Sequence, residues 1–138
     1  MRNRHYFQGG KMKYGNTKYQ VDGMLFDSKK EANRWYELAM LSRAKEIMQL
    51  QRQKPFELIP TRYYDGVCVR GCKYVADFYY YDVQKKCHVA EDIKGYPTPE
   101  YILKKKLFLE KYVLNGDILF FENGKKQIFY KKTKKIDR

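Results

Sequence analysis

The stretch Tyr74-Val75-Ala76-Asp77-Phe78-Tyr79-Tyr80-Tyr81, with the turn residues Gln84-Lys85-Lys86 and the returning run Cys87–Lys94, decides the fold. Eight residues dominated by aromatic and β-branched side chains read as a strand, and the return makes an antiparallel hairpin. Period-two alternation sorts the returning run into two faces, Cys87, Val89, Glu91 and Ile93 against His88, Ala90, Asp92 and Lys94. On the first strand Val75, Asp77 and Tyr79 share a face by the same rule. Asp77 stands mid-strand among apolar neighbours, where a carboxylate bears a desolvation cost unless something charged offsets it.

Downstream, Thr98 is placed to cap a helix whose first residue, Pro99, lacks the N–H that the first turn leaves unused. Leu103, Leu107 and Leu114 give this helix an apolar stripe, and Gly116 ends it. A compact strand, Ile118–Phe121, an Asn123-Gly124 turn and a last strand, Gln127–Tyr130, follow. A strand–helix–strand unit crosses over right-handed, so the strands at 87–94 and 117–122 are expected parallel. Upstream, Gly66–Gly71 reads as a short strand and turn, and Ile47–Leu50 and Phe56–Ile59 as two strands, the second closed by Pro60. The first helix runs from about Ser28 to Ala44. It opens with the capping box Ser28…Glu31 and carries Ala32, Trp35, Leu38 and Ala39 as its buried stripe. These elements predict an α/β (α+β) fold, a single mixed sheet flanked by helices. Residues 1–20 read as a basic flexible arm, 21–124 as the core domain, and 125–138 as a basic C-terminal strand and tail.

The chain has 138 residues, 43% of them hydrophobic, with fourteen Tyr and eight Phe, enough to build one aromatic core. No apolar run approaches the ~20 residues that span a bilayer, and the N-terminal segment lacks the apolar stretch of a signal peptide. Three Cys, an odd number, argue against a disulfide framework. The expectation is a soluble intracellular protein. The formal net charge is +13. Residues 1–20 hold five Lys or Arg and no acid, and 125–138 hold seven against one acid, whereas 21–124 are nearly balanced. A polyanion held by the two ends exploits that distribution, because counterion release rewards dispersed cations without demanding exact geometry. Lys104, Lys105 and Lys106 on the second helix, with Lys125, Lys126, Lys131 and Lys132 beyond it, are the candidate phosphate contacts. The plainer reading is a solvated helix face plus charged tails. No basic amphipathic helix points to a membrane surface instead.

If Asp77 and Asp92 meet across the hairpin, their like charges compound the desolvation cost, and a divalent cation such as Mg²⁺ with its preference for hard oxygen ligands relieves both. Lys94, on the face of Asp92, is placed to stabilise phosphoryl charge or to orient an attacking water. The plainer alternative is a same-face Asp92–Lys94 ion pair. Glu31 lies on the packed side of its helix, and two readings stay open for it, closing the capping box with Ser28 or reaching the same metal. Cys68, Cys72, Cys87 and His88 make a poor zinc set, since adjacent Cys87 and His88 point to opposite faces of a strand. Tyr79, Tyr80 and Tyr81 suit either base stacking or the core. No phosphate-binding glycine loop and no nucleophile elbow is present.

Asp77 followed after fourteen residues by Asp92-Ile93-Lys94 resembles the D…(D/E)-x-K signature of the PD-(D/E)XK nuclease superfamily, and the expected element order is similar to its common core. Lys13-Tyr14-Gly15-Asn16, Asp22-Gly23 and Phe26-Asp27-Ser28-Lys29-Lys30-Glu31-Ala32 resemble the opening of a phage-borne domain of unknown function assigned to that superfamily. Gln53-Lys54-Pro55-Phe56, Glu91-Asp92-Ile93-Lys94-Gly95 and Lys104-Lys105-Lys106-Leu107-Phe108 extend the likeness over roughly residues 13–113. The resemblance implies Asp77 and Asp92 as ligands of Mg²⁺ (or Mn²⁺) and Lys94 as the catalytic lysine. It implies Glu31 as the first-helix acid of Holliday-junction resolvases and related phage endonucleases. Ala76 departs from the motif's Pro, Asp92 from its commoner Glu, and Glu91 is a rival ligand that strand parity ranks second. The implied function is a metal-dependent endonuclease for branched DNA, a homodimer working inside the host-cell cytoplasm. The alternative is a non-catalytic nucleic-acid-binding module or an accessory protein of a phage replication or packaging complex.

Overall fold

A computed structural model describes residues 8–11 and 17–126, and the chain divides into two compact units, Met1–Lys45 and Glu46–Arg138. The boundary falls inside the stretch read above as one core.

In the first unit, β1 (Gln8–Lys11), β2 (Thr17–Val21) and β3 (Met24–Phe26) form an antiparallel meander in that order. The described part of the stretch expected to be a flexible arm is therefore largely paired strand. Composition hides this because β1 and β2 are short and largely polar. Asp22 and Gly23, at φ of 50° and 78°, make the left-handed pair that a two-residue hairpin demands. The helix α1 (Lys29–Arg43) follows, within a residue of the expected bounds. Ser28 is extended, and its Oγ accepts the Glu31 N–H at 3.1 Å, so the cap forms as its spacing dictates. Val21, Phe26, Ala32 and Leu38 are buried, and Trp35 packs on Phe26.

In the second unit, β4 (Ile47–Ile59) is one strand where two were expected. The register shifts between Met48 and Gln51, around Gln49 at positive φ, and again between Glu57 and Ile59, and it runs unshifted past Gln53, also at positive φ. β5 (Arg62–Tyr64) and β6 (Val67–Val69) pair only with each other as a two-stranded ribbon. β7 (Cys72–Asp82) and β8 (Cys87–Asp92) make the expected hairpin, with Phe78 opposite Glu91 and Tyr80 opposite Val89. After α2 (Pro99–Phe108), β9 (Leu119–Glu122) and β10 (Lys125–Lys126) complete a five-stranded sheet of order β10-β9-β8-β7-β4. β8 and β9 run parallel, as a crossover requires, and every other pair is antiparallel. The fold is mixed α+β. The strand expected at Gln127–Tyr130 lies outside the described residues. No helix among the described residues is long and apolar enough to cross a membrane.

Thr98 caps α2 as expected, its Oγ1 accepting the Tyr101 N–H at 3.1 Å. The apolar stripe is a different one. Leu103 is 60% exposed and Leu107 is exposed too, while Phe108, Leu109 and Val113 are buried. The helix widens to a π-helical turn over Leu109–Leu114, with the Asn115 N–H reaching the Glu110 carbonyl five residues back. The wider turn rotates the final residues out of the 3.6-residue phase on which the leucine stripe was read. The core beneath is aromatic, with Phe108 stacked on Tyr74 at 4.5 Å between ring centres and Phe56 edge-on to Phe108 at 5.0 Å.

Candidate active site

Strict alternation does not run through Asp77. Tyr74 and Ala76 face the α2 core, and Tyr79, three residues on from Ala76, packs against the same core, while Val75 is exposed. Val75 and Tyr79 thus do not share the face assigned to them from the sequence. The switch of face falls opposite Gln53, whose φ of +51° interrupts β4 between the pairs Arg52–Phe78 and Lys54–Ala76. This irregularity buries Ala76, Asp77 and Phe78 consecutively.

At the same level the β7–β8 ladder gives way to side chains. Its last main-chain pair is Phe78–Glu91, and beyond it the two carboxylates act as acceptors. The Asp77 N–H donates to Asp92 Oδ1 at 2.9 Å, and the Ile93 N–H donates to Asp77 Oδ2 at 2.9 Å. Gln53 Nε2 donates to Asp77 Oδ1 at 3.2 Å. The two acids do meet across the hairpin, each satisfied in part by the other's strand. Asp92 Oδ2 is different, buried and without a hydrogen-bond partner. Burial pushes the Asp92 carboxyl up to about 6. The Lys94 ammonium, the Asp77 N–H and the nearby Tyr101 hydroxyl oppose the shift, and the Glu122 charge adds to it.

β8 stops at Asp92, so Ile93 and Lys94 leave the strand in which they were expected. A different device holds Lys94. Its N–H donates to Asn123 Oδ1 at 3.0 Å, and its carbonyl accepts from Asn123 Nδ2 at 2.9 Å. The Asn123 amide thus imitates a strand partner, and its own N–H reaches the Asp92 carbonyl at 2.9 Å. The Lys94 ammonium lies 4.9 Å from the centre of the Tyr101 ring.

Behind it sits a polar group that the sequence reading missed. Tyr101 donates its hydroxyl to Glu122 Oε2, and Lys105 Nζ donates to the same oxygen at 2.8 Å. Burial pushes the Glu122 carboxyl up, but the bonds from Lys105 and Tyr101 outweigh it and hold the group below the usual carboxylate range. Burial and the bond to Glu122 push the Tyr101 hydroxyl upward, so it stays a proton donor. Asn123 was legible only as a turn residue. Tyr101 carried no signal beyond its place in the first turn of α2.

The remaining candidates are placed as follows. Glu91 lies on the opposite face, buried, and accepts the Tyr80 hydroxyl, as its strand parity indicates. Glu31 is buried on α1 in the first unit. Lys104 pairs with Glu100 at 3.0 Å and Lys105 with Glu122, so of the expected phosphate-gripping triplet only Lys106 is left outside an ion pair among the described residues. Helical spacing sets Lys104 four residues from Glu100 at the surface, while Lys105 is drawn to Glu122 on β9. Lys125 is exposed on β10, Lys126 is described only through its backbone, and Lys131 and Lys132 lie outside the described residues. Cys68, Cys72 and Cys87 form no disulfide, and His88 stacks on Tyr79. Among the described residues no group of three or more Cys, His, Asp or Glu side chains comes together as a metal site.

The chain belongs to DUF1064, a family described as protein of unknown function, whose model matches residues 11–134. No curated protein and no solved structure matches it.

Proposed function

We propose that this member of DUF1064 is a metal-dependent endonuclease that hydrolyses phosphodiester bonds in DNA, with branched DNA as its substrate class. One observation carries the reading. Asp92 Oδ2 is buried and makes no hydrogen bond, beside a second carboxylate and within the field of a lysine, while the nearby Tyr101 hydroxyl is committed to Glu122. An orphaned buried carboxylate oxygen costs stability, and a fold retains that cost where a ligand uses it. Two converging carboxylates are the hard oxygen donors that Mg²⁺ or Mn²⁺ accepts, so Asp77 and Asp92 fit the cation. When bound, such an ion supplies Lewis-acid stabilisation and a water of lowered pKa.

The chain's own residues do the rest. Asn123 fixes the Lys94 backbone, so the ammonium is aimed beside the carboxylates, where it balances the growing negative charge on a phosphate. Tyr101 and Glu122 flank the ammonium and restrict its swing. In the hydrolysis a water oxygen bonds to phosphorus, one phosphorus–oxygen ester bond breaks, and a proton ends on the departing sugar oxygen. The net charge of +13 holds the substrate. Paired cuts at a junction need two such sites, which a homodimer provides.

The second reading, a DNA-binding module without catalysis, draws on the fact that among the described residues no group of three or more Cys, His, Asp or Glu side chains comes together as a metal site. The test is cleavage of a labelled four-way junction, a linear duplex and a single strand by wild type and Asp77→Ala with Mg²⁺. Wild type cuts the junction and Asp77→Ala cuts nothing while still binding. In parallel, Mg²⁺ raises the urea midpoint of wild type but not of Asp92→Asn. Binding with no cleavage of any substrate leaves the second reading, and equal cleavage of junction and duplex removes the preference for branches.

A further inference from the structure

The β5–β6 ribbon contributes nothing to the core. Its pairs are Arg62–Val69, Tyr63–Cys68 and Tyr64–Val67, turned by Asp65 and Gly66 at φ of 48° and 76°. Every strand residue in it is exposed, with Tyr63 at 73%, Tyr64 at 61% and Val67 at 63%. Alternation puts one tyrosine on each face. A lone two-stranded ribbon is marginal in water, and rings left in solvent on both faces add nothing to its stability.

The root, by contrast, is fixed. The Gly71 N–H donates to Thr61 Oγ1 at 3.1 Å. A Cβ on Gly71 would lie 2.1 Å from the Ile59 carbonyl oxygen, so the two chains cross in contact where only glycine passes. The ribbon therefore continues β4 and β7 past the end of the sheet as an anchored finger.

Charge and chemistry narrow its occupant. Arg62 and Arg70 flank the root, Lys73 follows on β7, and the only acid is Asp65 at the tip, in a chain of net charge +13. Reading base edges in a groove needs side chains with matched donors and acceptors. Between its arginines this ribbon offers only Tyr, Val and Cys beyond the turn. Exposed rings suit stacking, which every base accepts.

We infer that the ribbon is a DNA-engaging finger on which Tyr63 and Tyr64 stack against unpaired bases at a branch point, while Arg62 and Arg70 hold the flanking phosphates. From Cys72 at the root to Asp77 is five residues of strand, about 17 Å, half of the ~34 Å helical repeat of DNA. A branch seated on the finger thus leaves phosphates within reach of the two carboxylates. The choice of DNA as the polyanion rests on the nuclease reading above.

The test uses the full chain in EDTA, with fluorescence anisotropy on a labelled four-way junction, a single strand and a blunt duplex, and 2-aminopurine placed at the branch. The Tyr63→Ala/Tyr64→Ala protein binds the junction and the single strand about tenfold or more weaker than wild type, with little change on the duplex. The Tyr63→Phe/Tyr64→Phe protein keeps wild-type binding and wild-type 2-aminopurine quenching, because stacking needs the ring and not the hydroxyl. Both variants keep the wild-type urea midpoint, since the side chains are exposed. Unchanged junction binding by the alanine protein overturns the assignment, as does an equal loss on all three DNAs. A drop in sedimentation mass also overturns it, by giving the ribbon to a chain–chain contact. Binding is read without metal, so failure of wild type to cleave sinks the nuclease reading alone, and unchanged binding by the alanine protein sinks the finger alone.

Discussion

Replacing Asp92 by Asn separates the cost of the site from its use. The Asp92 side chain is fully buried; Oδ1 accepts the Asp77 N–H at 2.9 Å, and Oδ2 has no partner. Its pKa is raised from 3.8 to about 6, chiefly by burial. The folded protein therefore binds this proton more tightly than the unfolded chain does. Stability from the group is fully present below about pH 4 and is lost as the pH rises through about 6. An acid titrating about two pH units high costs the folded state about 3 kcal/mol once it is ionised. Asn keeps the acceptor for the Asp77 N–H and removes the charge. Its amide leaves a buried donor at the Oδ2 position, which costs about 1–3 kcal/mol at every pH. The informative quantity is thus the change in the mutational effect between pH 4 and pH 8, in which that constant cancels. Urea unfolding in EDTA at pH 4, 5, 6, 7 and 8 measures it. Relative to wild type, Asp92→Asn gains about 2.5 kcal/mol across that range, most of it between pH 4 and 6. A mutational effect that is flat with pH, or that turns more destabilising as the pH rises, refutes the account of Asp92 as a strained, buried charge.

Lys94→Ala lowers cleavage of a labelled junction by about 10²–10³, the scale of losing one charge-stabilising group, while anisotropy shows binding largely retained. Asn123→Gly keeps a residue suited to φ of +51° but removes the amide that holds both backbone groups of Lys94. Single-turnover kinetics then show the chemical step about tenfold or more slower with little change in affinity. Gly71→Ala forces a Cβ against the Ile59 carbonyl and lowers stability by about 1–3 kcal/mol in urea, with a matching loss of junction binding.

Much of this protein is local chemistry and therefore legible in the sequence. Ser28 and Thr98 cap their helices because a hydroxyl three residues before a free N–H has one geometry to adopt. The aromatic hairpin, the parallel crossover pairing of β8 with β9 and the Asn123-Gly124 turn follow from propensity, handedness and φ. Strand parity separated Glu91 from Asp92, because two neighbours on one strand face opposite ways. The charge of the chain needed no coordinates at all.

Other features depend on partners far along the chain. The switch of face at Asp77 arises because Gln53, twenty-four residues away, adopts a left-handed turn within β4, and no periodicity of β7 contains that. The buried stripe of the second helix moved from leucines to Phe108, Leu109 and Val113 because a π turn changed its phase to meet an aromatic core. Lys105 became a bond to Glu122 and not a free cation because β9 ends beside α2. Asn123 became the clamp of Lys94 because the parallel neighbour strand ends beside Asp92. Caps, turns and strand faces are set by residues within a few positions of one another, so the sequence alone determined them. Which carboxylate oxygen is left bare, and which amide aims the lysine, was decided only when distant strands closed on one another, because burial and hydrogen-bond competition are properties of the packed chain.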